Sequence, residues 1–406
     1  MASTDPFATD DRREFEARVR GWFDANAPRK GDAGDFSSAH IVNANTVAEY
    51  EALEARAWTV SRAWQRRLFD AGLAGRSWST DYGGLGAPLW QDEIVEEVQS
   101  TYGVSTKVLS IALEMVPPVL FNHGTHEQRL QYLPPVLRGE QGWCQLLSEP
   151  GAGSDLAGAR TAATAVDGGW SVTGQKVWTS GAGSSDFALL VARTDPAEPR
   201  HAGLSCFALD MHAPGVEVRP LRQMSGAYHF NEVFLDDVFV PETDLVGPLG
   251  AGWTVLRTML ASERAAIGGG TSARSAVQLL ALADQLGRAG EPVVRQWLAA
   301  AYTRERLLDL VRMRMTDPAA VPAGGPLSKL LYTEHARLTA DTATKILGAA
   351  ATLTDDAVAE PWVERLLFAP GLRIGGGTDE IQRNVIAERG LGLPREQTPA
   401  ITRGEP

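Results

Sequence analysis

The stretch TAATAVDGGWSVTGQKVWTSGAGSSDFALLVAR, residues 161–193, decides the fold. Two strand-like runs flank Asp167-Gly168-Gly169, and this arrangement is typical of a β-hairpin with a tight turn. Further short apolar runs follow at 204–210, 215–221 and 232–240, separated by Pro, Gly and Asp. Strands this close together, without helices between them, predict an antiparallel sheet or barrel.

The residues on both sides of this β segment have helical periodicity. Phe15, Val19 and Trp22 fall on one helix face, and Pro117 and Pro118 are expected to kink or break a later helix. Long helical segments are predicted at 271–286, 291–315 and 327–347. We therefore predict an α+β multidomain protein with an N-terminal α-helical domain at 1–142, a central antiparallel β domain at 143–246 and a C-terminal α-helical bundle domain at 247–406.

Composition excludes several classes of protein. The 406 residues are 44% hydrophobic and 22% charged, and the formal net charge of −12 argues against nucleic-acid binding. Only two cysteines occur, so a disulfide framework is not expected and a reducing cytoplasm fits best. The acidic N-terminus lacks an apolar signal core, and no run reaches the roughly 18 apolar residues of a membrane span. We expect a cytoplasmic protein.

Familiar catalytic motifs are absent from the sequence. Gly151 and Gly153 are not followed by the third glycine of a dinucleotide-binding loop, and there is no Walker loop or nucleophile elbow. His123 and His126 flank a predicted helix break at Gly124-Thr125, so we interpret them as solvated polar histidines rather than metal ligands.

Two clusters on the β segment remain as candidate binding elements. WCQLLSEPGAGSD, residues 143–155, is a strand that leads into a glycine loop, and QKVWTSGAGSSD, residues 175–186, carries a tryptophan followed by two hydroxyl residues. Together they offer backbone donors, hydroxyls and a flat aromatic wall. These groups suit a planar cofactor with a pyrophosphate.

The order and wording of four segments resemble the acyl-CoA dehydrogenase family. SEPGAGSD (148–155), GQKVWTSGAGSSDFALLVART (174–194), FNEVFLDDVFVP (230–241) and GGGTDEIQRNVIAERGLGLP (375–394) match its signatures in sequence order. The resemblance covers about residues 10–395. It implies a flavoprotein enzyme, an FAD-dependent acyl-CoA dehydrogenase, with FAD bound between the β domain and the C-terminal helices and with a neighbouring subunit completing the site.

The resemblance also implies a role for individual residues. Trp178 would stack against the flavin, Ser154 would lie near the pyrophosphate and the CoA thioester arm, and Leu147 is equally well a core residue. The implied cofactor-binding residues are Gln145, Leu147, Ser148, Ser154, Trp178, Thr179, Ser180, Thr378 and Glu380. The implied substrate-binding residues are Ser154, Arg264, Gly376 and Gly377.

The chemistry of acyl-CoA desaturation requires a carboxylate that removes the α-proton while the β-hydrogen leaves as hydride to flavin N5. Many family members carry this glutamate directly before the Gly-Thr of the last signature, where this chain has Gly376. Asp379 and Glu380 belong to the first turn of the following helix and point the wrong way. A minority of the family places the base on a helix, immediately before an arginine, and Glu263-Arg264 occupies that place here. We therefore expect Glu263 to be the catalytic base.

Two departures from the family concern the adenine half of the FAD site. The usual Arg-x-x-Phe-Gly stretch is replaced in 284–299, where Arg288 is a stand-in, and a frequent glutamine is Lys345.

Three hypotheses on function follow. The chain is an acyl-CoA dehydrogenase that passes electrons to an electron-transfer flavoprotein as a homo-oligomer (dimer or tetramer), a non-catalytic or half-site subunit paired with a related chain, or a flavin oxidase or monooxygenase on the same fold.

Overall fold

The computed structural model describes residues 5–38, 44, 46–198, 200–269, 275–314, 323–353 and 356–395, with the backbone alone at 264–269 and 312. The chain divides into two compact units, Met1–Ser262 and Glu263–Pro406. The first unit begins with five helices: α1 (Arg12–Asn26), α2 (Val47–Asp70), α3 (Leu89–Gln99), α4 (Val116–His123) and α5 (His126–Leu137).

Three helices of the first unit, α1, α2 and α5, begin at side-chain caps. Asp11 accepts a hydrogen bond from Glu14 N, and Thr125 forms a capping box with Gln128 at the start of α5. The prolines of the 116–123 helix occupy its first turn, where a missing N–H is tolerated. Phe15, Val19 and the other apolar residues of α1 pack in a shared helical core, as predicted.

The sheet follows the helices and contains β1 (Trp143–Leu146), β2 (Ala162–Val166), β3 (Gly169–Thr179), β4 (Phe187–Arg193), β5 (Leu204–Asp210), β6 (Val216–Leu221), β7 (Phe230–Pro241) and β8 (Leu245–Val246). Its order is β6-β7-β3-β2-β4-β5-β8, with β1 paired to β4. The predicted hairpin is present, since Val166 pairs with Gly169 across Asp167-Gly168 and Gly168 has φ +73°. The fold class predicted from the sequence is confirmed.

One part of the sheet differs from a purely antiparallel arrangement. β1 runs parallel to β4, and Ala162 of β2 also pairs in parallel with Arg193. Gly142 explains the first pairing, because its N–H donates to Asp186 at 2.7 Å and its carbonyl accepts from Phe187 N at 3.1 Å. These bonds hold the starts of β1 and β4 side by side, so the two strands leave in the same direction.

Helix α6 (Gly252–Gly269) runs from the first unit into the second. The second unit continues with α7 (Ser275–Gln285), α8 (Pro292–Arg314), α9 (Gly324–Leu347), α10 (Glu360–Leu372) and α11 (Asp379–Val385). Parts of the predicted segments 271–286 and 291–315 lie outside the described residues. No helix in the described ranges is long and apolar enough to cross a membrane.

A buried carboxylate joins three elements of the second unit. Asp379, fully buried at the start of α11, accepts bonds from Lys329 Nζ at 3.1 Å and Thr333 Oγ1 at 2.9 Å, both on α9. Arg373 Nε, at the end of α10, donates to its other oxygen at 2.7 Å. Burial alone would raise the pKa of Asp379, but these hydrogen bonds outweigh burial and hold its pKa below the ordinary value.

We predict that Asp379→Asn destabilises the second unit by about 3 kcal/mol, because Lys329 is left buried without its counter-charge. Since the pKa of Asp379 is lowered on folding, its contribution is complete above the unfolded-state pKa and is lost as pH falls through the folded-state value. Urea unfolding followed by circular dichroism at neutral and acidic pH measures both effects. Asp341→Asn is the matched control, because Asp341 forms a half-exposed pair with Arg337 on α9, the helix that carries Lys329. Equal losses in the two variants would contradict the prediction.

Candidate functional site

The glycine loop after β1 is closed by a second buried ion pair. Glu149 accepts bonds from Arg160 N at 2.6 Å, Thr161 N at 2.9 Å and Lys176 Nζ at 2.9 Å. Lys176 is fully buried and also donates to Leu147 O at 3.0 Å. Burial would raise the pKa of Glu149, but the Lys176 charge and the other donors hold it below the ordinary range. The two ends of the loop are therefore fixed to one carboxylate on the sheet.

Sequence reasoning missed Glu149 and Lys176, although both lie in the quoted signatures. The alternation of side chains along β3 indicated the pair, because Lys176 lies four residues after the buried Val172 and so points to the same, inner face of the sheet. A lysine that faces the core of a sheet requires a buried acid. Glu149, in the loop that follows β1, supplies that acid.

Trp178 has an unusual backbone for a large residue. Its φ is +64°, at an interruption of the β3–β7 pairing between Lys176 and Thr179. Such a conformation costs about 1–3 kcal/mol and is found mainly at functional sites. The bulge turns the indole outwards, where 56% of the residue is exposed and its edge meets the Phe230 ring at 5.8 Å. Trp178 is therefore a presented aromatic surface rather than a core residue.

Two buried side-chain oxygens on β1 and β3 lack partners in the described part of the chain. Thr179 Oγ1 and Gln145 Oε1 are buried, and neither has a hydrogen-bond partner among the residues described. Ser180 is exposed in the turn after β3, and the Ser148 carbonyl accepts from Val177 N at 2.9 Å. Buried polar atoms are normally satisfied, so these two oxygens fit a ligand with hydrogen-bond donors. An aromatic surface beside such atoms suits a planar, nitrogen-rich group such as a flavin.

The other predicted residues of the first unit have different surroundings. Leu147 is buried, and its carbonyl is bonded to Lys176, so the leucine side chain is part of the core. Ser154 is exposed on the glycine loop, and the neighbouring Asp155 pairs with Arg200. Within this unit Gln145 lies on β1, Leu147 and Ser148 lie in the loop that follows it, and Trp178 and Thr179 lie at the end of β3. The bond from Val177 N to Ser148 O joins that loop to β3.

In the glycine loop of the second unit, 375–377, the backbone conformation requires glycine at two of the three positions. Gly376 and Gly377 have φ values of +66° and +85°, which L residues rarely adopt. Gln382 Nε2 donates to both of their carbonyls, at 2.9 and 3.1 Å. A Cβ on Gly377 would lie 2.6 Å from that same nitrogen. Gly375 meets no such obstacle.

The acidic residues around this loop differ in burial and in their partners. Asp379 is fully engaged by α9 and Arg373, whereas Glu380 is exposed and pairs with Arg383 at 3.8 Å. Thr378 caps α11 by accepting from Ile381 N at 3.2 Å, so its hydroxyl hydrogen is still available to donate. Glu263 is half-buried on α6, and the side chain of Arg264 lies outside the described residues.

The two residues that depart from the family have contacts within the chain. Arg288 donates to the carbonyls of Lys345 and Ile346 at the end of α9 and pairs with Glu291 at 2.8 Å. Lys345 Nζ lies 5.6 Å from the centre of the Trp297 ring. Both side chains therefore stabilise the second unit itself.

A separate cavity of about 480 Å³ lies among the helices of the first unit. Aromatic and proline side chains form most of its wall, including Trp78, Tyr82, Pro117 and Phe121.

The two histidines that were not interpreted as metal ligands have hydrogen-bond partners. His126 Nδ1 lies 3.3 Å from Tyr82 OH, and His123 Nε2 lies 2.8 Å from Thr258 Oγ1. The described part of the chain contains no group of residues suited to a metal ion.

Comparison with known proteins agrees with the fold and the signatures. The chain matches the acyl-CoA dehydrogenase N-terminal domain at 31–140, the middle domain at 144–238 and the C-terminal domain at 250–391. Acyl-CoA dehydrogenase IpdE1 of Mycobacterium tuberculosis is 36% identical over 95% of this chain and 99% of its own length.

Two solved structures are similar over nearly the whole chain. The Tcur3481-Tcur3483 steroid ACAD is 28% identical with a TM-score of 0.77, covering 95% of this chain and 98% of that one. The ChsE4-ChsE5 complex from Mycobacterium tuberculosis is 26% identical with a TM-score of 0.73, covering 96% and 99%. With three domains matched in order and a relative aligned from end to end, this chain belongs to the acyl-CoA dehydrogenase family of flavoprotein oxidoreductases.

Proposed function

We propose that this protein binds FAD and desaturates an acyl-CoA thioester between its α and β carbons. The observation that carries the proposal is Trp178, which is exposed on a strained backbone next to Thr179, whose buried hydroxyl oxygen has no partner among the described residues. A fold keeps strain of this kind where a ligand needs the side chain. When bound, FAD supplies the acceptor for the β-hydrogen, which leaves as hydride.

The residues proposed to hold the cofactor are those that the family resemblance implies. Trp178 would stack on the flavin, Ser180 would bond near N5, and Gln145, Ser148 and Thr179 would contact the ring edge. The Leu147 contribution is restricted to its backbone. Ser154 lies near the pyrophosphate and the CoA arm, while Thr378 and Glu380 contact the cofactor from the last signature.

Glu263 is the proposed base that takes the α-proton. Position 376 cannot carry a glutamate without strain, since its φ is +66°, and the Asp379 carboxylate is held by Lys329, Thr333 and Arg373. Glu263 is half-buried, as a base that must be shielded from bulk water should be. Arg264 positions the substrate. Gly376 and Gly377 let the thioester approach their backbone closely.

The acyl group is proposed to be bulky. A cavity of about 480 Å³ with aromatic walls lies within the usual range for sites that bury a large organic ligand. A structural relative is titled a steroid ACAD, which supports a polycyclic or branched acyl chain over a short straight one. Electrons are proposed to leave through an electron-transfer flavoprotein, with the chain acting in a homo-oligomer.

A half-site role in a hetero-oligomer is the second candidate. Arg288 and Lys345 are engaged inside their own chain, which leaves the adenine half of a neighbouring FAD without the donors that the family usually supplies. A structural relative is titled as a complex of two chains, ChsE4 and ChsE5. Protein purified alone that lacks flavin, and becomes yellow only with a related chain, would favour this candidate.

Substitution of Trp178 separates a cofactor surface from a core residue. We expect Trp178→Gly to weaken FAD binding about tenfold, since an aromatic stacking partner contributes roughly 1 kcal/mol beyond its buried area. Its unfolding free energy should stay within about 1 kcal/mol of wild type, because glycine relieves the positive φ. Titration with FAD and urea unfolding measure the two effects, and Trp178→Phe is the control that keeps a ring. Loss of about 3–5 kcal/mol with unchanged FAD affinity would identify a core residue instead.

Substitution of Glu263 tests the proposed base. Glu263→Gln keeps the shape of the side chain, so FAD should bind normally while anaerobic bleaching of the flavin by acyl-CoA slows roughly 100-fold or more. Stopped-flow absorbance with straight, branched and polycyclic acyl-CoAs measures this rate, and wild type should bleach fastest with the bulky substrates. Glu360→Gln, an exposed acid at the start of α10, is the control. Bleaching at the wild-type rate in Glu263→Gln would remove Glu263 from the mechanism.

A further inference from the structure

A buried acid on α2 has no role in the chemistry described so far. Glu54 and Tyr50 lie one helical turn apart, both buried, and Tyr50 OH donates to Glu54 Oε1 at 2.6 Å. Within the described residues no lysine, arginine or histidine forms an ion pair with Glu54. A buried carboxyl without a cation is unfavourable, so its hydrogen bonds must do something that an apolar pair cannot.

The same face of α2 contacts the segment that follows Trp178. Ser184 Oγ donates to the other Glu54 oxygen at 3.3 Å, and Arg62 Nη2 donates to Ser184 O at 3.1 Å. Trp58, between them on the helix, closes against Gly181, where a Cβ would lie 2.9 Å from the indole. Three successive turns of α2 therefore fix residues 181–184.

The opposite side of the segment is held by β7. Asn231 Nδ2 donates to Thr179 O at 3.1 Å, and the Asn231 amide also contacts the Tyr50 hydroxyl. Tyr228 packs on the Tyr50 ring with centroids 6.0 Å apart. Tyr50 thus links α2 to the segment 228–231 at the start of β7, and Asn231 of that segment holds the Thr179 carbonyl of β3.

We propose that Tyr50 and Glu54 are positioning residues, which fix segment 179–184 between α2 and β7 and thereby hold the indole of Trp178 in its presented orientation. The backbone at Trp178 is strained, and a strained conformation persists only when its surroundings determine it. The hydrogen bonds from Tyr50 and Ser184 to Glu54, and from Asn231 to Thr179, provide that determination. The part of this inference that concerns the cofactor rests on the proposed function.

Because Glu54 is a buried carboxyl, we expect its hold on segment 179–184 to depend on pH. Burial raises the pKa of Glu54, and the nearby Glu51 raises it further, while hydrogen bonds from Tyr50 and Ser184 lower it less. The groups around Glu54 are Tyr50 and Glu51 on α2, Ser184 on the turn, and, next to Tyr50, Tyr228, His229 and Asn231. Because the folded-state pKa is raised, the contribution of Glu54 is complete at low pH and declines as pH rises through the folded-state value.

Hydrogen exchange of the full chain in the presence of FAD tests the inference. Exchange rates of the amides in 179–185 are measured by mass spectrometry from about pH 5 to pH 8, and each variant is compared with wild type at the same pH. Glu54→Gln keeps a neutral, hydrogen-bonding side chain, so the ratio of the wild-type to the variant rate should rise severalfold with pH. Tyr50→Phe removes one buried bond and should raise the exchange rate about tenfold, independently of that trend.

Two controls and a second readout complete the test. Glu97→Gln, an exposed acid on α3, should leave the ratio at one, and His229→Asn, which replaces the histidine next to Tyr228, should keep the wild-type pH trend. The FAD affinity of wild type should fall as pH rises, over the same pH range in which its exchange rate rises relative to that of the variant. The FAD affinity of Glu54→Gln should not fall in this way. A flat ratio, or exchange that changes while FAD affinity does not, would overturn the positioning role. Absence of FAD binding in wild type would instead refute the proposed function, and the exchange arm would still decide whether Glu54 fixes the segment.

Discussion

The buried Asp379 carboxylate is the contact on which the second unit depends. One side chain holds α9 through Lys329 and Thr333, the end of α10 through Arg373, and the start of α11 through its own position. The loop between Arg373 and Asp379 must therefore span a short, fixed distance. Its glycines adopt positive φ values and turn their carbonyls to Gln382. A glutamate at 376 would be strained in this loop, because φ there is +66°, and the Asp379 carboxylate is engaged by Lys329, Thr333 and Arg373.

The first unit solves a similar problem with the same chemistry. Glu149 and Lys176 close the loop after β1 as Asp379 and Lys329 close the loop before α11. In both cases an acid–lysine pair is buried, and the backbone of a glycine-rich segment supplies further hydrogen bonds. Such pairs add little net stability compared with apolar packing, but removal of one partner is costly. Glycine-rich segments that would otherwise be mobile are thus held in one conformation.

Much of the fold could be predicted because it depends on local signals. The period of apolar residues located α1, the break at Gly124-Thr125 located the boundary before α5, and the Asp167-Gly168-Gly169 turn located the β2–β3 hairpin. The Trp178-Thr179-Ser180 run led to the prediction of a ligand surface around Trp178. The parallel β1–β4 pairing was not predictable, since it depends on the distant contact between Gly142 and Asp186. Asp379 looked like an ordinary first-turn acid, and only the position of Lys329, fifty residues earlier, gives it another role. Arg288 was expected to be a stand-in for a cofactor contact, and its bonds to the end of α9 come from tertiary packing that its own segment does not encode.

The central claim is that the α-proton is taken by an acid on α6 rather than by one on the glycine loop. Exchange of the α-hydrogens of an acyl-CoA with deuterated water, followed by mass spectrometry under anaerobic conditions, tests this claim directly because it reports proton removal without net oxidation. We expect the flavin-loaded wild type to catalyse this exchange, and the flavin-loaded Glu263→Gln variant to show only the background rate. Exchange at the wild-type rate in the variant would contradict the account, and the base would then have to be sought elsewhere in the chain.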